Sequence, residues 1–398
     1  MTAPARRLTA LPPYPFAELE ARAAAARARG EDVVDLSIGD PDLPTPPAVV
    51  EAVRDAIRRP ELKGYSSSRG ERFFREAIAE WYHGRFGVDL DPDREVCVLL
   101  GSKEGLANLA RAFVDPGSSV LCPDPGYPVY AAGATALCDG TPVAAPLEAP
   151  EFRFDPDLLE TPGLRLAYLN YPSNPTGAVT TRTELAAIVE RARARGILLA
   201  HDLAYSELAF EPGGAPSILE AEGAKECAIE FHSLSKTYNM TGWRCGWACG
   251  NRDLVGALAT VKGFLDTGQF MAVQRAGVAA IASWKEWVPG NIAVFKERRD
   301  AAVAAFRANG FVCDAPKGTM YLWLPLPSGI ASAEFADRLL EDEGVIVLPG
   351  SGLGAGGEGF FRVSFITSPE RIAEAARRAG RVLVATSGAP HNAAGHGR

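Results

Sequence analysis

From Cys97 to Cys249 the sequence keeps returning to one pattern, a short apolar run followed by polar residues, with helical periodicity between several of the runs. The runs are Cys97–Leu100, Ser119–Leu121, Leu166–Leu169, Ile197–Ala200, Ile229–His232 and Gly246–Cys249, and Thr183–Ala194 is one of the helical stretches. A strand with one wet face alternates apolar and polar residues, whereas most of these runs are continuously apolar, Ile229–His232 with Glu230 and His232 being the exception. They therefore belong to a sheet covered on both faces, which predicts an α/β fold with a largely parallel sheet flanked by helices.

On either side of this region the pattern changes. Glu18–Arg29 favours a helix that Gly30 would end, Val33–Ile38 reads as a strand running into the turn Gly39-Asp40-Pro41-Asp42, and helices follow over Pro47–Arg58 and Arg72–Phe86. Beyond Gly290 come a long helix over Ile292–Asn309, a strand at Met320–Leu324, a helix at Ala333–Glu343, strands at Val345–Leu348 and Phe360–Phe365, and a last helix from Pro369. This reads as a smaller α+β domain, and 398 residues are too many for one ordinary core. The small, polar stretch from Ala385 to Arg398 reads as a flexible tail.

Composition excludes several functions. A net charge of −8 disfavours nucleic acid as a partner. Seven cysteines without a CxxC pair, mostly in apolar runs, fit buried thiols in a reducing cytoplasm, and neither they nor the five histidines show metal-ligand spacing. Prolines 12, 13 and 15 interrupt the segment after Arg6 and Arg7, so no signal peptide is read, and no run is long enough to span a membrane.

In parallel α/β sheets functional groups collect at the carboxyl ends of strands. Ser102 and Lys103 lie in the loop Gly101-Ser102-Lys103-Glu104-Gly105, at the N-terminus of a helix over Leu106–Val114, a natural anion site. Asn170-Tyr171-Pro172-Ser173-Asn174-Pro175 makes a rigid turn that could present the Asn174 amide. Asp202 ends an apolar strand, where a carboxylate is costly without a cationic partner, and Tyr205 follows three residues on. Phe231–Trp247 carries Lys236 among Ser233, Ser235 and Arg244, an amine beside anion binders that suits a cofactor with both an aldehyde and a phosphate. Tyr127 could stack on a flat ring. Arg362, inside the apolar run Phe360-Phe361-Arg362-Val363, has the guanidinium fork that grips a carboxylate. Taken singly, each of these also has a bland reading as cap, turn, core aromatic or snorkelling edge arginine.

Their order along one chain resembles the fold-type-I, pyridoxal-phosphate-dependent aminotransferases of class I/II. The likeness runs from Ile38-Gly39-Asp40-Pro41 to Arg362, and the wording G-S-K-E-G, D-P-G-Y-P-V-Y, N-Y-P-S-N-P-T-G-A, H-D-L-A-Y-S-E and F-H-S-L-S-K-T-Y-N-M-T-G-W-R is most similar to the diaminopimelate branch. The resemblance implies a seven-stranded type of sheet, with residues 41–288 as the large cofactor-binding domain and residues 12–40 and 289–384 as the small one. It implies pyridoxal 5'-phosphate as cofactor, an amino acid and a 2-oxo acid as substrates, and a cytoplasmic homodimer with shared sites. Lys236 would bond the cofactor aldehyde and shuttle the α-proton, Asp202 would pair with the ring nitrogen, Asn174 and Tyr205 would hold the ring oxygen, and Tyr127 would cover the ring face. Ser102, Lys103, Ser233, Ser235 and Arg244 would surround the phosphate, joined by Tyr65 of a second subunit. Arg362, Asn174 and backbone at Gly39 would take the substrate α-carboxylate, with Lys103 open to phosphate or to a distal carboxylate. The diaminopimelate branch also implies an acidic residue in the loop after that tyrosine, for a distal ammonium. Here the loop reads Ser66-Ser67-Ser68-Arg69-Gly70, with Glu71 one place beyond. Aspartate, alanine, N-acyl-diaminopimelate or aromatic amino acids as donors, a carbon–sulfur lyase, and the effector half of a regulator are the other readings.

Overall fold

A computed structural model describes residues 3–387. The large sheet contains seven strands: β2 (Val96–Leu99), β3 (Ser119–Asp124), β4 (Thr141–Pro146), β5 (Leu164–Asn170), β6 (Leu198–Asp202), β7 (Ala228–Ser233) and β8 (Gly246–Gly250), in the spatial order β2-β8-β7-β6-β5-β3-β4. Every pairing is parallel except the two made by β8, which runs against both β2 and β7. A two-stranded sheet pairs β1 (Val34–Asp35) with β10 (Val345–Ile346). A three-stranded antiparallel sheet has β12 (Phe360–Ser364) between β9 (Tyr321–Pro325) and β11 (Leu348–Pro349).

The continuous apolar runs have the expected cause. In β5, Leu166 and Tyr168 point into a core shared with the helices Ser102–Phe113 and Arg252–Leu265, while Ala167 and Leu169 point into the opposite core with Arg72–Phe86, Arg182–Arg195 and Met271–Ala282. A third core joins Phe306, Leu322, Phe335, Phe361 and Ile372 around the three-stranded sheet and reaches Tyr205 and Leu208 of the large sheet's loops. All seven cysteines are free thiols, six of them buried and Cys138 half-buried.

Several elements depart from expectation. The helix expected from Leu106 begins at Ser102, with the Glu104 carboxylate accepting the Leu100 N–H at 3.1 Å. Strand β4 was not read from the sequence because Pro142 and Pro146 argue against a strand. At the sheet edge, with only Ala145 fully buried, a missing N–H is tolerated. The helices Arg252–Leu265 and Met271–Ala282 also went unread, and the long helix begins at Trp284, passing through Pro289. The run Val345–Leu348 divides between two sheets. Only Val34–Asp35 of the Val33–Ile38 run forms a strand, but Leu36 still donates its N–H to Ile346 and accepts from Ser364. Residues 385–387, expected in the tail, continue the helix Pro369–Ser387, and 388–398 lie outside the described residues.

Candidate active site

Strand register gathers the polar ends of the apolar runs. Asn170 lies opposite Asp202, Asp202 opposite Phe231, and Ser233 opposite Gly246. Because β8 runs backwards, Arg244, just before its start, lies on the same edge as the carboxyl ends of β5, β6 and β7. The loop after β2 joins them, since β2 is again parallel to β7. Gly246 is needed here: a Cβ on it would lie 2.5 Å from the His232 carbonyl and 3.2 Å from the Ser102 nitrogen. A cavity of about 340 Å³ opens at this edge. Gly39, Ser102, Lys103, Tyr127, Asn174, Asp202, Tyr205, Ser233, Ser235, Lys236, Arg244 and Arg362 all line it, which brings together every predicted site residue except Tyr65.

One end of the cavity is an anion cradle. The helix Ser102–Phe113 starts with no side-chain cap, so its first N–H groups face the cavity edge. Gly101, at φ +80°, leaves room for the Arg244 guanidinium that a Cβ would strike. Arg244 itself has φ +52°, and donates from Nη1 to the Thr241 carbonyl at 2.8 Å and from Nη2 to the Leu100 carbonyl at 3.2 Å. The Ser233 hydroxyl accepts from the Ser235 N–H at 3.2 Å. Lys236 lies beside them, its ammonium donating to the Gly39 carbonyl, and burial lowers its pKa below the ordinary 10.5.

The other end holds the carboxylate. Tyr130 donates its hydroxyl to Asp202 Oδ2 at 2.8 Å and Ala204 donates its N–H to Oδ1 at 3.3 Å; neither partner is a cation. Burial pushes the Asp202 pKa up against those two hydrogen bonds. Tyr205 and Tyr321 share a hydroxyl hydrogen bond of 2.9 Å. Arg362 is 1 % exposed on the central strand β12, so it is no snorkelling edge residue. It donates to Asn174 Oδ1 at 2.7 Å and to the Ser37 carbonyl, and its guanidinium lies 4.1 Å over the Tyr321 ring. With Asn174 Oδ1 engaged, the amide NH₂ of Asn174 remains to serve the cavity. Lys103 donates to the Tyr14 hydroxyl at 3.1 Å, at the cavity's outer rim.

These features fit pyridoxal 5'-phosphate. Uncapped N–H groups with serine hydroxyls and a guanidinium suit a phosphate dianion, an amine of lowered pKa suits an aldehyde, and a buried carboxylate lacking a cationic hydrogen-bond partner suits a protonated ring nitrogen. A lysine, an aspartate and an arginine so arranged at the strand ends of an α/β sheet define a pyridoxal-phosphate enzyme. Residues 31–378 match the family model of the class I and II aminotransferases. The chain is 48 % identical to LL-diaminopimelate aminotransferase of Moorella thermoacetica, over 95 % of this chain and 98 % of that one. It is 47 % identical to the enzyme of the same name from Aquifex aeolicus, covering 94 % and 97 %. Substrate-bound BacF from Bacillus subtilis superposes with a TM-score of 0.90 at 34 % identity, over 96 % of this chain and 98 % of that one. The chain belongs to the class I and II aminotransferases, pyridoxal-phosphate enzymes that act on an amino acid and a 2-oxo acid.

Tyr65 lies apart, 93 % exposed. Arg69, in the loop where an acidic residue was expected, turns toward the chain's own Arg94 carbonyl, to which it donates at 3.3 Å, and does not line the cavity. Glu71 accepts the Ser67 N–H at 3.2 Å within the same loop. The sequence reading missed Tyr14, Tyr130, Asn170, Thr241 and Tyr321, all of which line the cavity. Tyr130 and Tyr321 look like core aromatics in apolar surroundings, and Asn170 was read only as part of a turn. No local signal marks the three.

Proposed function

We propose that this chain is an LL-diaminopimelate aminotransferase that passes the amino group to 2-oxoglutarate in lysine biosynthesis. The observation that carries the proposal is the convergence of Lys236, Asp202 and Arg362 on one cavity of about 340 Å³. The high identity to relatives of that name supports the choice of donor. So does the orientation of Arg69, which is drawn off to Arg94 and so does not oppose a distal ammonium from within its own chain.

In this reading Ser102, Ser233, Ser235 and Arg244 hold the cofactor phosphate, with Lys103 at the rim free to help there or at a distal substrate group. Tyr127 covers the ring, Asn174 and Tyr205 hold its oxygen, and Asp202 holds its nitrogen protonated. When bound, the cofactor supplies an electrophilic aldehyde and a ring that withdraws electrons from the substrate α-carbon. Arg362 and the Asn174 amide bind the substrate α-carboxylate, with the backbone at Gly39 beside it. Lys236, whose lowered pKa leaves more of its amine neutral, takes the proton from the donor's α-carbon and, in the second half-reaction, gives a proton to the α-carbon of the acceptor. Tyr130 keeps Asp202 oriented. The same reading divides the chain into a large unit of residues 41–288 and a small one of 12–40 and 289–384, in a cytoplasmic homodimer. Tyr65, exposed on its own chain, then reaches the phosphate of the partner's site. No described helix is long and apolar enough to cross a membrane.

A donor panel with 2-oxoglutarate tests the substrate. LL-diaminopimelate is expected to exceed aspartate, alanine and phenylalanine in kcat/KM by more than about tenfold. A preference for any of those three removes the diaminopimelate assignment. Release of ammonia or pyruvate without an acceptor identifies a lyase instead.

A further inference from the structure

Two buried glutamines join the anion cradle to the loop that carries Tyr65. Gln274 is fully buried and Gln269 is 5 % exposed. Gln269 donates from Nε2 to the Arg244 carbonyl at 2.6 Å and to the Trp243 carbonyl at 3.3 Å. Gln274 donates from Nε2 to the Ser66 hydroxyl at 2.8 Å and to the Gln269 carbonyl at 2.7 Å, and its Oε1 accepts the Glu71 N–H at 2.7 Å. Both hydrogens of each amide are therefore engaged inside the protein, and the Gln274 oxygen is too.

The groups they hold are ones that need holding. Arg244 has a left-handed backbone at φ +52°, a conformation that a non-glycine residue keeps only when its surroundings impose it. Its carbonyl is fixed by Gln269, and this sets where its guanidinium meets the cavity. Ser66 is buried beside Tyr65, whose ring projects almost wholly into solvent. The clamp on Ser66 and Glu71 grips both ends of the short loop behind that ring. The connection leading into Gln269 is tight: Gly268, at φ +98°, passes so close to the Ser67 carbonyl that a side chain there would strike it. The same connection is pinned from below by Asp266, which accepts the Gly268 N–H at 2.8 Å and the buried Lys262 ammonium at 2.9 Å. Lys262 also reaches Glu104, in the first turn of the helix at the anion cradle, at 3.2 Å.

We infer that Gln269 and Gln274 are positioning residues that set the phosphate-binding Arg244 of one active site and, through Ser66, the Tyr65 delivered to the other. The inference rests on the shared-site dimer proposed above. It adds that one chain's glutamine pair tunes cofactor affinity in both sites, in its own through Arg244 and in its neighbour's through Tyr65.

Hybrid dimers test this. One chain carries Lys236→Ala, so borohydride-trapped cofactor reports only the site of the other chain, which keeps its lysine. Adding Gln274→Leu to the Lys236→Ala chain is expected to weaken pyridoxal 5'-phosphate binding at the unmodified chain by about three- to tenfold. Ser66→Ala, which removes one hydroxyl and carries little folding risk, is expected to act in the same direction. Gln269→Leu in the chain that keeps its lysine is expected to weaken that chain's own site similarly, with substrate KM unchanged once cofactor saturates. A purely structural role would lower the melting temperature without altering the neighbour's affinity. If Tyr65→Phe in the Lys236→Ala chain weakens the neighbour but Gln274→Leu and Ser66→Ala do not, the relay is overturned and the shared site stands. If Tyr65→Phe also leaves the neighbour unchanged, the shared site fails and the relay falls with it.

Discussion

Lys236 and Arg362 show how surroundings change ordinary side chains. Enclosure lowers the Lys236 pKa and prevails over upward pulls from Tyr321 and Asp40, with smaller downward pushes from the positive Arg362 and Arg244. Titrating the cofactor-free protein with an amine-directed acylating reagent is expected to give a midpoint for Lys236 below 10.5, with reactivity gained as pH rises through that midpoint. A midpoint at or above 10.5 would remove the enclosed amine from the account. Arg362→Lys keeps the charge and loses the planar fork. It is expected to lower kcat/KM by about ten- to a hundredfold, equivalent to about 1.5–3 kcal/mol, with thermal stability measured alongside. Unchanged efficiency would mean that the guanidinium does not touch substrate. These residues were legible in the sequence because a lysine among serines, or an arginine among phenylalanines, is chemically out of place. Tyr130 and Tyr321 were not, because a tyrosine among apolar residues looks like core until its hydroxyl partner is known.

At the level of strands and helices, legibility followed burial. Strands β5, β6 and β7 are covered on both faces, so their apolar runs stand out, while β4 is an edge strand with two prolines and gave no such signal. Register between two of the legible strands creates something neither shows alone. It sets Glu230 opposite His201, next to Asp202. Glu230 is fully buried and accepts from Tyr82 at 2.8 Å, Ser217 at 2.7 Å and the Ile218 N–H at 2.8 Å, and pairs with His201 at 2.9 Å and His232 at 3.3 Å. Burial would raise its pKa, but the hydrogen bonds and charges of His201 and His232 prevail and hold it below the ordinary 4.5. Glu230→Gln supplies one acceptor oxygen where the carboxylate supplies two, and is expected to cost about 2–4 kcal/mol in denaturant unfolding. The carboxylate's folded pKa is depressed, so its contribution is present above the unfolded value and lost as pH falls through the folded one. The deficit of the variant is therefore expected to narrow as pH drops below 4.5. A deficit independent of pH would show that Glu230 is not ionised in the folded protein.

Across the whole molecule, four of the exposed large apolar side chains fall on adjoining segments. Tyr65 is 93 % exposed, Phe264 89 %, Leu265 57 % and Phe270 50 %. They belong to one neighbourhood, because a Cβ on Gly263 would lie 3.7 Å from the Ser68 hydroxyl and Gly268 abuts Ser67. Burying a phenylalanine ring contributes about 1.5–3 kcal/mol, so such a group of rings left in water is a feature that association would cover. The proposed two-fold dimer would place the same patch on both chains, each covering the other, with each Tyr65 reaching beyond its own surface. Phe264→Asp would bring an unpaired carboxylate into that contact, at a cost of several kcal/mol if it stays charged. On the proposed shared-site dimer, the variant is expected to sediment near the single-chain mass of 42.3 kDa at concentrations where the parent protein sediments at twice that mass, and to lose bound cofactor as it dissociates, since each site would then lack the neighbour's Tyr65. Cofactor content and sedimentation measured on one sample separate the outcomes. A monomer that keeps its cofactor affinity would leave each site complete within one chain. A variant that stays dimeric would move the interface to another face.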